Sequence, residues 1–124
     1  MGTLFQFPYR TVAEISIRAI IKNLVTLRSL SQKEIVPVVK ADAYGHGLLP
    51  VSQALVSRGS CHTLSVATLE EAIELRKKIP YAISIWVLNG FLPHQLDAYN
   101  KYRLTPIIHS LTHLKSLLHH KKLP

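Results

Sequence analysis

The residues with the most chemical content lie together in the run VVKADAYGHG, residues 38–47. Lys40 offers an amine, Tyr44 a phenol hydroxyl and His46 an imidazole. The preceding run IVPVV, residues 35–39, is apolar and rich in β-branched side chains, which reads as a strand buried on both faces. Lys40 therefore stands just past a strand end. In a parallel α/β fold the carboxyl ends of the strands face the active site. An amine held there and stripped of part of its water gives up its proton more readily. As a neutral amine it can form a Schiff base with an aldehyde. Gly45 and Gly47 let the backbone turn tightly and approach a bound group. Taken alone, one lysine is a weak signal, and a solvated lysine beside a Gly-rich turn is the more economical reading of these residue types.

The other reactive side chains point less clearly to chemistry. His109 and His113 are four apart, a spacing that zinc ligands use. No cysteine or carboxylate lies near them to complete a site, and His109 falls before the expected helix, so capping or solvated histidines are the simpler reading and no metal is expected. Cys61 has no basic neighbour in sequence and no redox motif, which makes it a structural thiol. Glu70, Glu71 and Glu74 fall in the first turns of a helix, where they favour its dipole and need no catalytic role. Trp86 lies in an apolar strand and reads as core.

These side chains need elements to position them. Residues 11–17, TVAEISI, alternate apolar and polar, which predicts a strand. Ile20, Ile21, Leu24, Leu27 and Leu30 then recur at helical spacing. Pro37 marks the next strand as an edge or a locally unpaired position. Val51, Ala54 and Leu55 share one helical face, with Pro50 tolerated in the first turn. Residues 64–67 form a short strand, and Thr68 with Glu71 makes a capping box for the helix carrying Leu69, Ala72, Ile73 and Leu75. Residues 83–88, ISIWVL, are a further strand closed by Asn89-Gly90, and Pro93 opens a helix to about Lys101. Residues 105–108 form another strand, after which Ser110 caps a helix with Leu111, Leu114, Leu117 and Leu118 on its apolar face. Such alternation means an α/β fold with a parallel sheet. Periodicity leaves a doubly wound sheet and a (β/α)8 barrel both open.

The 124 residues fit one domain, and 48% are apolar, enough for a core. No apolar stretch approaches the roughly 18 residues of a membrane span, and the start MGTLFQFPYR lacks a secretory pattern. A single cysteine allows no intrachain disulfide, which fits a reducing, cytoplasmic setting. The net charge of +8 is uneven: residues 101–124 carry five Lys/Arg and no acid. Those residues follow a helical pattern without aromatic interleaving after Tyr102, so a solvated helix face is preferred to a nucleic-acid surface.

VVKADAYGHG closely resembles the cofactor-lysine motif of alanine racemases. The resemblance extends in order through residues 11–30, VATLEEAIELR at 66–76, WVLNGF at 86–91 and LTPIIHSL at 104–111. Related barrels that decarboxylate amino acids, and the small pyridoxal-phosphate homeostasis proteins, keep the lysine but lack YGHG. The resemblance implies the first half of a (β/α)8 TIM-type barrel with parallel strands, preceded by one N-terminal strand. It makes residues 1–124 a partial N-terminal barrel domain, without the rest of the barrel or the C-terminal β-domain. It implies interconversion of L- and D-alanine with pyridoxal 5'-phosphate, supplying D-alanine for peptidoglycan. Lys40 would hold the cofactor and act as one of two bases, and the Tyr44 hydroxyl would help hold its phosphate; His46 would support from behind.

The family's second base, a tyrosine from the partner subunit, and its carboxylate-gripping arginine correspond to no segment of this chain. The family dimerises. The isolated chain is therefore expected to be a truncated, inactive or split form. The alternative is a non-catalytic fragment or an association module that complements a second half.

Overall fold

The computed structural model describes residues 11–120. Residues 1–10, on which the leader reading falls, and residues 121–124, with two of the tail lysines, lie outside that range. The strand expected at 11–17 does not form: residues 11–16 have no regular structure, and Ile17 already belongs to helix α1 (Ile17–Ser31). Ser16 caps this helix, its hydroxyl accepting from the Ala19 N–H at 3.2 Å. A strand needs a neighbour for its backbone groups, and residues 11–16 find none among the described residues.

Residues 35–39 run beside β1 (Thr63–Val66) through a parallel bridge at Val38 and Ser65. The Val39 N–H donates to Ser65 at 2.8 Å, and the Ser65 N–H donates to the Pro37 carbonyl at 2.9 Å. Pro37, without an N–H, lies on the edge of the described sheet, as expected. β1 pairs in parallel with β2 (Ser84–Val87), and β2 with β3 (Thr105–Pro106). The strand order thus follows chain order with no reversal. A doubly wound sheet reverses at a switch point; this unclosed sheet of successive parallel staves shows no such reversal among the described residues and has the order of a barrel segment.

Each connection returns through a helix. α3 (Leu48–Ser57) precedes β1, α4 (Leu69–Arg76) links β1 to β2, and α5 (Leu96–Tyr102) leads into β3. Leu64, Val66, Ile85 and Val87 point to the helical layer and are essentially inaccessible, as are Ala72, Leu75 and Leu96. Burying a large aliphatic side chain contributes roughly 1.5–3 kcal/mol, so this layer is the main source of stability. Val51, Ala54 and Leu55 are buried on one face of α3, as their spacing predicted. Alternation turns Ser84, Trp86 and Thr105 to the opposite face, where Ser84 and Thr105 are exposed. Trp86 is only half-buried, so its reading as core needs correction: it lies on the sheet's less covered side.

Arg76 locks the end of α4. It is buried, and its guanidinium donates to the carbonyls of Tyr102, Pro80 and Arg103 at 2.9–3.0 Å. Burial draws its pKa down, yet three acceptors hold it in place. Gly59 allows a close approach of α1: a Cβ there would lie 2.5 Å from Leu24 and 2.6 Å from the Leu55 carbonyl oxygen.

Candidate active site

Lys40 directly follows residues 35–39, the run bridged to β1 that serves as the edge strand of the sheet, and is half-buried. It opens a six-residue turn, α2 (Lys40–Gly45), whose hand is reversed. Ala41, Asp42, Ala43 and Tyr44 have φ of 50°, 54°, 52° and 55°. Left-handed backbone costs an L-residue roughly 1–2 kcal/mol, so four in succession persist only where surrounding structure over-determines them. Gly45 and Gly47 extend the excursion with φ of 80° and 91°, which only glycine adopts freely.

The bonds that hold this turn are numerous. The Ala43 N–H donates to Val39 at 3.0 Å, the His46 N–H to Ala43 at 3.2 Å, and the Gly47 N–H to Asp42 at 2.9 Å. The Asp42 carboxylate accepts from the Leu48 N–H at 2.7 Å, which fastens the turn to the start of α3. The His46 Nδ1 lies 3.0 Å from the carbonyls of both Ala43 and Tyr44. Carbonyls only accept, so Nδ1 carries the proton and the imidazole supports the turn.

Glu71 supplies the link that sequence reasoning missed. Its carboxylate accepts from the Ala67 and Thr68 N–H groups at 2.9 and 3.2 Å, completing the expected capping box. Its other oxygen accepts from the Ala41 N–H, thirty residues away, at 2.7 Å. The capping pattern announced the first role; nothing local announces the second.

Lys40 and Tyr44 thus stand at the two ends of one braced turn. Tyr44 is 59% exposed, so its side chain is accessible to a ligand. An open, mainly apolar cavity of about 460 Å³ lies between α1 and the edge strand, lined by Ile20, Leu27, Val38, Tyr44 and His46 among others. Lys40 does not line it.

The other candidates are placed elsewhere. His109 precedes α6 (Leu111–His119), bonding through Nε2 to the Leu88 carbonyl, and its ring meets His113 edge to face. Among the described residues no three His, Cys, Asp or Glu side chains gather as a metal set. Cys61 is buried, and burial pushes its thiol up although Arg28 reaches within 4.0 Å of the sulfur. Tyr99, also buried, bonds through its hydroxyl to the Gly90 carbonyl, and burial followed by the charge of Glu70 raises its pKa to about 12. Among the described residues no helix is long and apolar enough to cross a membrane.

Consecutive parallel staves with a lysine braced at the carboxyl end of the edge strand define a segment of a (β/α) barrel of the lysine-bearing kind. Residues 15–123 match the family described as alanine racemase, N-terminal domain, and the chain belongs to that family. An alanine racemase of Nitrosomonas europaea is 43% identical over 112 residues, covering 89% of this chain and 30% of the relative. The alanine racemase of Bartonella henselae, solved with covalently bound pyridoxal phosphate, superposes with a TM-score of 0.77 at 33% identity, over 83% of this chain and 29% of that one. A histidine racemase from Leuconostoc mesenteroides gives a TM-score of 0.76 at 27% identity, over 90% and 30%. The chain spans about a third of the length of the curated relatives it matches. The relatives named above are racemases, and the fold is that of the N-terminal barrel segment.

Proposed function

We propose that residues 1–124 are the lysine-bearing portion of the barrel domain of a pyridoxal 5'-phosphate-dependent alanine racemase, interconverting L- and D-alanine for peptidoglycan in the cytoplasm. The observation that carries this reading is Lys40 at the carboxyl end of the edge strand, with the braced left-handed turn fixing the backbone on its far side.

The donors present fit the cofactor. Lys40 supplies an amine for its aldehyde, and the accessible Tyr44 hydroxyl is a neutral donor suited to its phosphate. When bound, the cofactor ring supplies an electron sink for negative charge at the substrate α-carbon. Lys40, once its amine is free, takes or returns the α-proton on one face. The turn limits where that amine can go, which is the positional part of catalysis. The opposite base, the grip on the substrate carboxylate and the partner subunit are proposed to come from segments corresponding to the other two-thirds of the relatives' length. The chain alone is therefore expected to bind cofactor and turn over little or no alanine.

The test is to incubate the chain with pyridoxal phosphate, reduce with borohydride and map the labelled peptide. Label on Lys40 is expected, together with its loss in Lys40→Ala. Label concentrated on a different side chain overturns the assignment. D-alanine formation by the isolated chain at the rate of a complete racemase would overturn the expectation of inactivity, and recovery of turnover on adding a complementary fragment would support the split form.

A further inference from the structure

We propose that Glu71 is a positioning residue for Lys40: its carboxylate ties the left-handed turn to the start of α4 and so fixes how the lysine leaves the sheet. This inference rests on the role proposed for Lys40.

The geometry is specific. One carboxylate oxygen accepts from the Ala41 N–H, the peptide group directly after Lys40, at 2.7 Å. The other accepts from the Ala67 and Thr68 N–H groups, at the carboxyl end of the neighbouring strand β1. A single anion therefore bridges the ends of two adjacent staves, where a barrel presents its active-site groups. The bridge falls at the first residue of the reversed-hand run, Ala41, with φ of 50°. At that point the chain must be held away from its ordinary conformation. The remaining turn bonds join residues of the turn to one another, to Val39 or to Leu48. Among the described residues, only Glu71 refers the Lys40 peptide to a different strand. Charged acceptors make the stronger hydrogen bonds, and a carboxylate has the two oxygens that the two sets of donors need. A capping box alone requires one oxygen. The Ala41 bond is therefore additional to what the helix start demands.

Three variants separate positioning from helix capping. Glu71→Gln keeps the shape but leaves one acceptor oxygen for two sets of donors. Glu71→Ala removes both. Thr68→Ala removes the cap hydroxyl and leaves the Glu71–Ala41 bond. The first readout is amide exchange at Ala41, followed by NMR in the chain without cofactor. In Glu71→Gln and Glu71→Ala it should accelerate by roughly tenfold or more, while Thr68→Ala leaves it near the wild-type rate once exchange is corrected for overall stability. The second readout is the rate of borohydride-trapped pyridoxal phosphate at Lys40 relative to the other lysines, which should fall severalfold in both Glu71 variants and hold in Thr68→Ala. Unchanged Ala41 exchange in Glu71→Gln overturns the proposal, as does unchanged Lys40 selectivity in both Glu71 variants. If the wild-type chain takes no label at Lys40, the cofactor-lysine reading fails and this inference fails with it. A Glu71→Ala chain that does not fold leaves the decision to Glu71→Gln.

Discussion

Two helices of this molecule begin in the same way and end in different circumstances. α4 and α6 are both opened by a hydroxyl residue, Thr68 or Ser110, whose side chain accepts from the N–H three positions on, at 3.3 and 3.1 Å. Both carry leucines at helical spacing. α4 buries Leu69, Ala72 and Leu75 and pins its end through Arg76; α6 buries no residue, and Leu111 and Leu118 are each 75% exposed. Capping is decided within four residues of chain, whereas burial requires a neighbour with a complementary face. α4 has β1, β2, α3 and α5 around it. α6 meets the core chiefly through Leu117 and the ring of His113 against Phe91.

The largest test of this contrast is truncation of a leucine on each helix. Leu75→Ala should cost about 2–5 kcal/mol, because a fully enclosed side chain leaves a cavity. Leu118→Ala should stay within about 0.5 kcal/mol. Denaturant midpoints of the two variants decide it, and equal losses would mean that α6 is covered in solution.

A smaller effect separates the two caps. Thr68→Ala should lower global stability by about 1 kcal/mol, since α4 is integral to the core. Ser110→Ala should fray α6 and leave the denaturation midpoint nearly unchanged, with the loss visible in amide exchange at residues 111–114.

The subtlest test concerns Tyr99, which closes the connection from β2 into α5 by its bond to Gly90. Its phenol is raised to about 12 in the fold from 10.0. Folding therefore favours the neutral form. That contribution is intact below pH 10 and declines as pH rises from about 10 through about 12. Tyr99→Phe should flatten the alkaline fall in stability relative to wild type. Parallel pH profiles for the two proteins would sink this account.

The agreement between sequence and structure is uneven along the chain, for physical reasons. The Thr68–Glu71 box, the Ser110 cap and the Val51, Ala54, Leu55 face could all be read directly, because each depends on residues within a turn of one another. The strand expected at residues 11–17 could not hold, because alternation supplies a face but not a partner, and Ser16 offers a helix cap instead. Trp86 looked like core because its neighbours are apolar; the side of the sheet on which it falls depends on which face the helices cover.

By its own residues the sequence determined a parallel α/β alternation and a lysine at a strand end, since hydrophobic period, capping chemistry and glycine spacing are short-range properties. Tertiary structure alone decided the hand of the backbone after that lysine. Ala41, Asp42, Ala43 and Tyr44 have no intrinsic reason to run left-handed together. They do so because Asp42 reaches Leu48, His46 grips the carbonyls of Ala43 and Tyr44, and Glu71 reaches back from thirty residues downstream. Bonds of that kind depend on which strands become neighbours, and no local pattern encodes it.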